Sequence, residues 1–159
     1  LTSPISVARG ELLKIDLFVS VPTARHFVVV NDPIPGGLEP VNTQLATASV
    51  VDAEKGQFKA ATGSWFYNIR DWSYYGRYFW SFYHQELRHD SARFFADYLP
   101  AGNYHLSYTA QAIAPGEFRV LPARSEEMYD PDVYGMGLPA VLNVTQNTAS
   151  HQARVAGSQ

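Results

Sequence analysis

The sequence contains no cysteine, which excludes disulfides, thiolate zinc sites and cysteine nucleophiles. That absence leaves the compartment open, because a cysteine-free chain suits reducing and oxidising spaces alike. Charge is also sparse. Asp, Glu, Lys and Arg make up 17% of the residues, against a usual share of about 25%. The net charge is −3 and the pI near 5.9, so there is no basic surplus to neutralise phosphates and no nucleic-acid partner is expected. No apolar run approaches the roughly 18 residues of a spanning helix, and no direct membrane insertion is expected. The start, Leu1, lacks an initiator Met, a basic leader and an apolar signal core. A piece of a larger protein or a processed chain is therefore expected.

What is abundant is apolar and aromatic side chain, at 46% and 14% of 159 residues. This is enough to offset chain entropy in one domain, which excludes a disordered chain. Leu13, Ile15, Leu17 and Val19 alternate with Lys14, Asp16 and Ser20. That period of two predicts a half-buried strand, closed by Pro22. His26 to Val30 is apolar on both faces and predicts a central strand, and Asn31 to Gly37 predicts a sharp turn. The polar stretch Ser49–Lys59 reads as a loop. Between 65 and 83, eleven of nineteen positions are aromatic, and Gly76 and the Asn68–Asp71 stretch break that segment into short strands.

The clearest local motif is a pair of strands around Pro100-Ala101-Gly102-Asn103. In the second strand Tyr104, Leu106, Tyr108, Ala110 and Ala112 are expected in the core, with His105, Ser107, Thr109 and Gln111 in water. Leu99 and Tyr104 resemble the tyrosine corner of immunoglobulin-like sandwiches. Ser125 to Gly137 reads as an acidic loop and Leu138 to Val144 as a last strand. Short strands with Gly and Pro turns, no useful amphipathic helix and no repeat predict an antiparallel β-sandwich with long loops. The domain is expected over 1–145, with residues 146–159 as a disordered tail.

The candidate chemistry is thin. His26, His84, His89, His105 and His151 are scattered and no pair has helical metal-ligand spacing, so no metal and no cofactor is expected. Gly63-Ser64 and Trp72-Ser73 do not form the Gly-flanked elbow of a nucleophilic serine. Glu126, Glu127, Asp130 and Asp132 lack the ligand intervals of a calcium loop. They read as a solvated acidic loop, and an enzyme is not expected. The aromatic segment admits three readings: core, a protein-contact surface, or a carbohydrate platform. Trp65, Trp72, Tyr75 and Trp80 would carry either binding role, with Arg70, Arg77 and Arg88 nearby.

Three phrases together carry a family resemblance. They are Val28 to Asn42 (VVVNDPIPGGLEPVN), then Glu86 to Asp90 running into Phe95 to Gly102 (ELRHD, FADYLPAG), then Pro122 to Gly135 (PARSEEMYDPDVYG). In this order, over about residues 8–145, the chain resembles the C-terminal macroglobulin domain of bacterial alpha-2-macroglobulins. The resemblance implies a macroglobulin or fibronectin III-like sandwich and a large periplasmic parent, commonly lipid-anchored to the inner membrane. It implies a parent that traps target proteases after they cleave a bait region. In thioester-bearing members a Met-Tyr pair covers the thioester, and the matching residues here are Met128 and Tyr129. An apolar lid is suited to keeping water from a hydrolysable bond. Glu126, Glu127 and Asp130 are expected to keep the flanks of that loop solvated. The expected function is thus an interdomain lock whose partners are neighbouring domains of the parent. The alternative is a carbohydrate-binding module.

Overall fold

The computed structural model of the chain describes residues 4–41, 57–59, 65–68 and 82–146, and all its regular elements there are strands. In chain order they are β1 (Ile5–Ala8), β2 (Leu12–Val21), β3 (Arg25–Pro33), β4 (Leu38–Val41), β5 (Gln57–Lys59), β6 (Trp65–Asn68), β7 (His84–Leu87), β8 (Ser91–Leu99), β9 (Gly102–Ala112), β10 (Gly116–Val120), β11 (Arg124–Glu127), β12 (Asp130–Met136) and β13 (Ala140–Thr145). One sheet runs β2-β9-β6-β5, with β4 also on β9. The second runs β12-β11-β3-β8-β7, and a small third sheet is β1-β13-β10. Pairing is antiparallel throughout except for β1 with β13 and β6 with β9, which are parallel.

The core lies between the two larger sheets, and sequence alternation explains each contribution. Val28 and Val30 of β3 stand opposite Ala96 and Phe94 of β8 and share their inner face. Facing them, β9 presents Tyr104, Leu106, Tyr108 and Ala110, all buried. Leu13, Ile15, Leu17 and Val19 of β2 pack on the same core from its edge. Full burial of Phe94 or Leu106 stabilises by about 1.5–3 kcal/mol each. The predicted tyrosine corner is present, since the Tyr104 hydroxyl donates to the Pro100 carbonyl at 2.8 Å.

Several expectations need correction. The outer face of β9 is not wet: His105, Ser107 and Thr109 are all buried, His105 at 1% exposure. Its Nε2 lies 2.7 Å from Asp16 Oδ1 and its ring stacks on Phe18 at 5.0 Å. Alternation reports polarity, and a polar strand face can be buried wherever cross-strand partners satisfy it. The acidic loop from Ser125 is instead the β11–β12 hairpin, with β11 seated between β3 and β12. The turn expected from Asn31 begins later, because Asn31, Asp32 and Pro33 still pair with Arg93, Ala92 and Ser91. Gln57–Lys59, expected as the end of a loop, forms β5. Trp72, Tyr75 and Trp80 lie outside the described residues, as does the expected tail beyond Gln146.

Candidate functional site

Residues Arg124 to Glu127 pair with Asn31 to Val28, so an acidic, loop-like sequence is held as a strand by the apolar strand beside it. The Met128 N–H continues that ladder, donating to the Phe27 carbonyl at 2.8 Å. The hairpin then closes in two residues, Met128 and Tyr129, because Glu127 stands opposite Asp130. One residue back, Glu126 stands opposite Tyr134. This jump in register leaves Pro131, Asp132 and Val133 as a bulge in β12, which turns the tip relative to the sheet. Both tip side chains project into solvent, Met128 at 42% and Tyr129 at 81% exposure.

Phe27 supports the tip from β3. Its ring meets Tyr129 edge-on at 5.0 Å, and its backbone is left-handed at φ 52°. A bulky side chain in that region is strained by about 1–3 kcal/mol. The β3–β8 ladder passes over Phe27, with His26 and Val28 paired on either side of it. Nothing in the run His26-Phe27-Val28-Val29-Val30 signals this break, so sequence reasoning missed Phe27. The ring contact depends on a residue about a hundred positions away.

Charges fix the hairpin's strands in place. Glu127 Oε1 accepts the His26 N–H at 3.4 Å and lies 3.8 Å from Arg25 Nη1. Arg124 Nε lies 2.7 Å from Glu126 Oε2, and its guanidinium covers the Tyr134 ring at 4.7 Å. Glu126 and Glu127 are therefore partly buried strand residues with cation partners, a correction to the solvated flanks expected of them. Asp130 and Asp132 are the exposed acids of the hairpin. Among the described residues no cluster of three His, Cys, Asp or Glu side chains can hold a metal. An exposed thioether beside the Tyr129 ring offers a large apolar contact with a polar hydroxyl at its end.

Beside the hairpin, a groove of about 670 Å³ opens between β2 and the β11–β12 wall. Ile15, Leu17 and Val19 line one side, Ser125 and Gly135 the other, and Val28, Val30 and Asp32 the floor.

The family described as the bacterial alpha-2-macroglobulin MG10 domain matches residues 1–132, a span that includes the Met128–Tyr129 tip. The chain belongs to this family. An alpha-2-macroglobulin homolog of Nostoc sp. is 26% identical over 135 residues, covering 85% of this chain and 6% of the relative. The Salmonella alpha-2-macroglobulin reacted with methylamine superposes with a TM-score of 0.63 at 24% identity, over 91% of this chain and 8% of that one. Trypsin-activated alpha-2-macroglobulin from Escherichia coli gives 0.64 at 24% identity, over 90% and 9%. Both structures share the sandwich fold. The chain thus spans only a small part of the length of these relatives.

Proposed function

We propose that this MG10 domain works as a latch and not as an enzyme. In the resting parent, the Met128–Tyr129 tip docks on a neighbouring domain. When a target protease cleaves the bait region, the contact is released and the parent closes on the protease. One observation carries this reading: an exposed Tyr ring stands at a two-residue hairpin tip, braced edge-on by Phe27. Such a ring loses little rotamer freedom on docking and supplies a large apolar contact, as interface anchors do.

In a parent that carries a thioester, the surface under the tip would be the thioester region. The Salmonella relative reacts with methylamine, an amine of the kind that thioesters acylate. A dry lid of Met128 and Tyr129 would slow the competing attack by water. On this reading the parent resides in the periplasm, anchored by lipid to the inner membrane, which the family resemblance supports. A switch of this kind needs contacts that differ between the two states, and the tip is the contact that changes.

The test is site-specific photocrosslinking from position 129 in the full-length parent, before and after protease treatment. The expected result is a crosslink to another domain that disappears on bait cleavage. An absent crosslink, or one that survives cleavage unchanged, would overturn the latch.

A further inference from the structure

The chain contains two methionines, Met128 and Met136, and both lie on the β11–β12 hairpin, one at its tip and one at the far end of β12. They are 42% and 57% exposed. Methionine commonly fills irregular gaps in a core, but the core of the described residues is built without it. Because the chain has no cysteine, these two thioethers are its only sulfur atoms. A thioether needs no neighbouring base to react with a two-electron oxidant, and exposure governs how readily it does so.

The contacts that hold the tip do not involve the sulfur of Met128. Its N–H donates to the Phe27 carbonyl at 2.8 Å, and the Tyr129 ring rests edge-on against Phe27 at 5.0 Å. Oxidation of the thioether to a sulfoxide therefore leaves the ladder and the ring brace intact. What it changes is the tip's apolar contact, which gains a strong S=O dipole. Met136 stands opposite Arg124, at the other end of β12 from the tip. The same reaction there adds no polar group to the tip, so Met136 is a built-in reference.

We propose that Met128 is an oxidation site through which a peroxide controls the tip: once its sulfur carries an oxygen, the tip no longer docks. The inference rests on the latch reading and names a regulation of that same site. In the step, a sulfur lone pair attacks one oxygen of hydrogen peroxide. The O–O bond breaks as the S–O bond forms, and the second oxygen leaves with both protons as water. The thioether loses two electrons and the peroxide gains them. A docked tip shields the sulfur, so the oxidant meets it while the tip is undocked. The sulfoxide is costly to bury without a hydrogen-bond donor, and it holds the tip undocked. Methionine sulfoxide reductases reverse the reaction, which makes the site a switch.

The test treats the full-length parent, carrying the photocrosslinker at position 129, with hydrogen peroxide that is then removed by catalase. Two signals are followed over time: the yield of the crosslink to another domain, and the sulfoxide content at positions 128 and 136 by mass spectrometry. The yield should fall in step with sulfoxide at 128, to about a tenth at full conversion, the scale of one polar group buried unpaired. It should return after treatment with methionine sulfoxide reductase. Met136→Leu should leave this loss unchanged, whereas Met128→Leu, whatever its starting yield, should show no loss on peroxide. No crosslink before treatment would overturn the latch, and this proposal with it. A crosslink present at the start would instead overturn the oxidation switch alone if it survived full oxidation of Met128, or if peroxide still lowered it in Met128→Leu. A Met128 that peroxide leaves unoxidised would do the same.

Discussion

The Phe27 and Tyr129 rings meet at 87°, 5.0 Å between centroids, and Phe27 makes this contact from a left-handed backbone at φ 52°. The hairpin tip is therefore tied to β3 twice, by the rings and by the Met128 N–H on the Phe27 carbonyl. Strain in the strand and order in the tip share one residue. A tip fixed in this way can present Tyr129 to another domain without first having to order it, which lowers the entropic cost of docking.

The strain at Phe27 reverses the ordinary preference for Ala over Gly in a strand. Phe27→Ala and Phe27→Gly both lose the ring contact, worth about 0.5–1.5 kcal/mol. Only Gly also relieves the left-handed backbone, about 1–2 kcal/mol. Phe27→Gly should therefore be more stable than Phe27→Ala by about 1 kcal/mol, read from denaturant midpoints at constant m. Ala equal to Gly, or better, would show that the backbone at 27 carries no strain.

Tyr129 should matter more for the parent than for the fold. Its ring is largely in water, and its contact in this chain is the edge-on one with Phe27. Tyr129→Ala should cost this chain no more than that contact, about 0.5–1.5 kcal/mol. In the full-length parent the same change should release the latch without bait cleavage, seen as protease-independent conversion on native gels. A parent that stays in its resting form would count against the latch.

The tyrosine corner gives a simple stability test. The Tyr104 hydroxyl donates to Pro100 at 2.8 Å, and burial pushes its pKa up to about 12, so the donor stays protonated across neutral pH. Tyr104→Phe keeps the ring against Phe82 and removes the donor, at a cost of about 1 kcal/mol. The difference from wild type should stay flat between about pH 6 and 9. A difference that changes within that range would mean that the hydroxyl is not the relevant group.

Gly37 and Phe118 test packing. The Phe118 ring lies so close to Gly37 that an added Cβ would overlap it. Gly37→Ala should cost about 1–3 kcal/mol, the range for overpacking. In a Phe118→Leu background the smaller side chain gives way, and the cost of Gly37→Ala should fall to less than half. Equal costs in both backgrounds would place the strain elsewhere.

The parts of the fold that the sequence disclosed are those where side-chain pattern and backbone pairing agree. Leu13 to Val19 alternate and lie at the edge of the core, and Val28 to Val30 form an inner strand. Leu99, Pro100 and Tyr104 make the corner their spacing implies. Two of the places that misled share a reason. His105 reads as a wet residue and is buried, because Asp16 and Phe18 on the neighbouring strand satisfy and cover it. Ser125 to Glu127 read as a loop and form most of β11, because β3 supplies the ladder. In both cases a partner remote in sequence overrides the local signal. The tip residues Met128 and Tyr129 were legible through the family phrase around them. Their brace, Phe27, was not, since a left-handed residue inside a β-branched run leaves no mark in composition or period.

Asp32 provides a pH test whose sign follows from burial. Its carboxyl binds a proton more readily folded than unfolded, because desolvation raises its pKa in the fold. Where the folded form holds more protons than the unfolded one, stability falls as pH rises. The contribution of Asp32 is therefore most favourable at acid pH and declines from the usual carboxylate range up through its raised value. Asp32→Asn removes this dependence, and its carbonyl oxygen can still accept the Tyr108 hydroxyl. In this chain alone, the stability of Asp32→Asn minus wild type should be smallest below the usual carboxylate range, and above it should grow in favour of Asn before levelling off. Taking the difference cancels the other carboxylates, including Glu86 and Asp90, whose pKa values are lowered by Arg88 and Ser91. Unfolding midpoints measured across that range decide it. A difference of the opposite slope would mean that Asp32 already has a counter-charge within this chain.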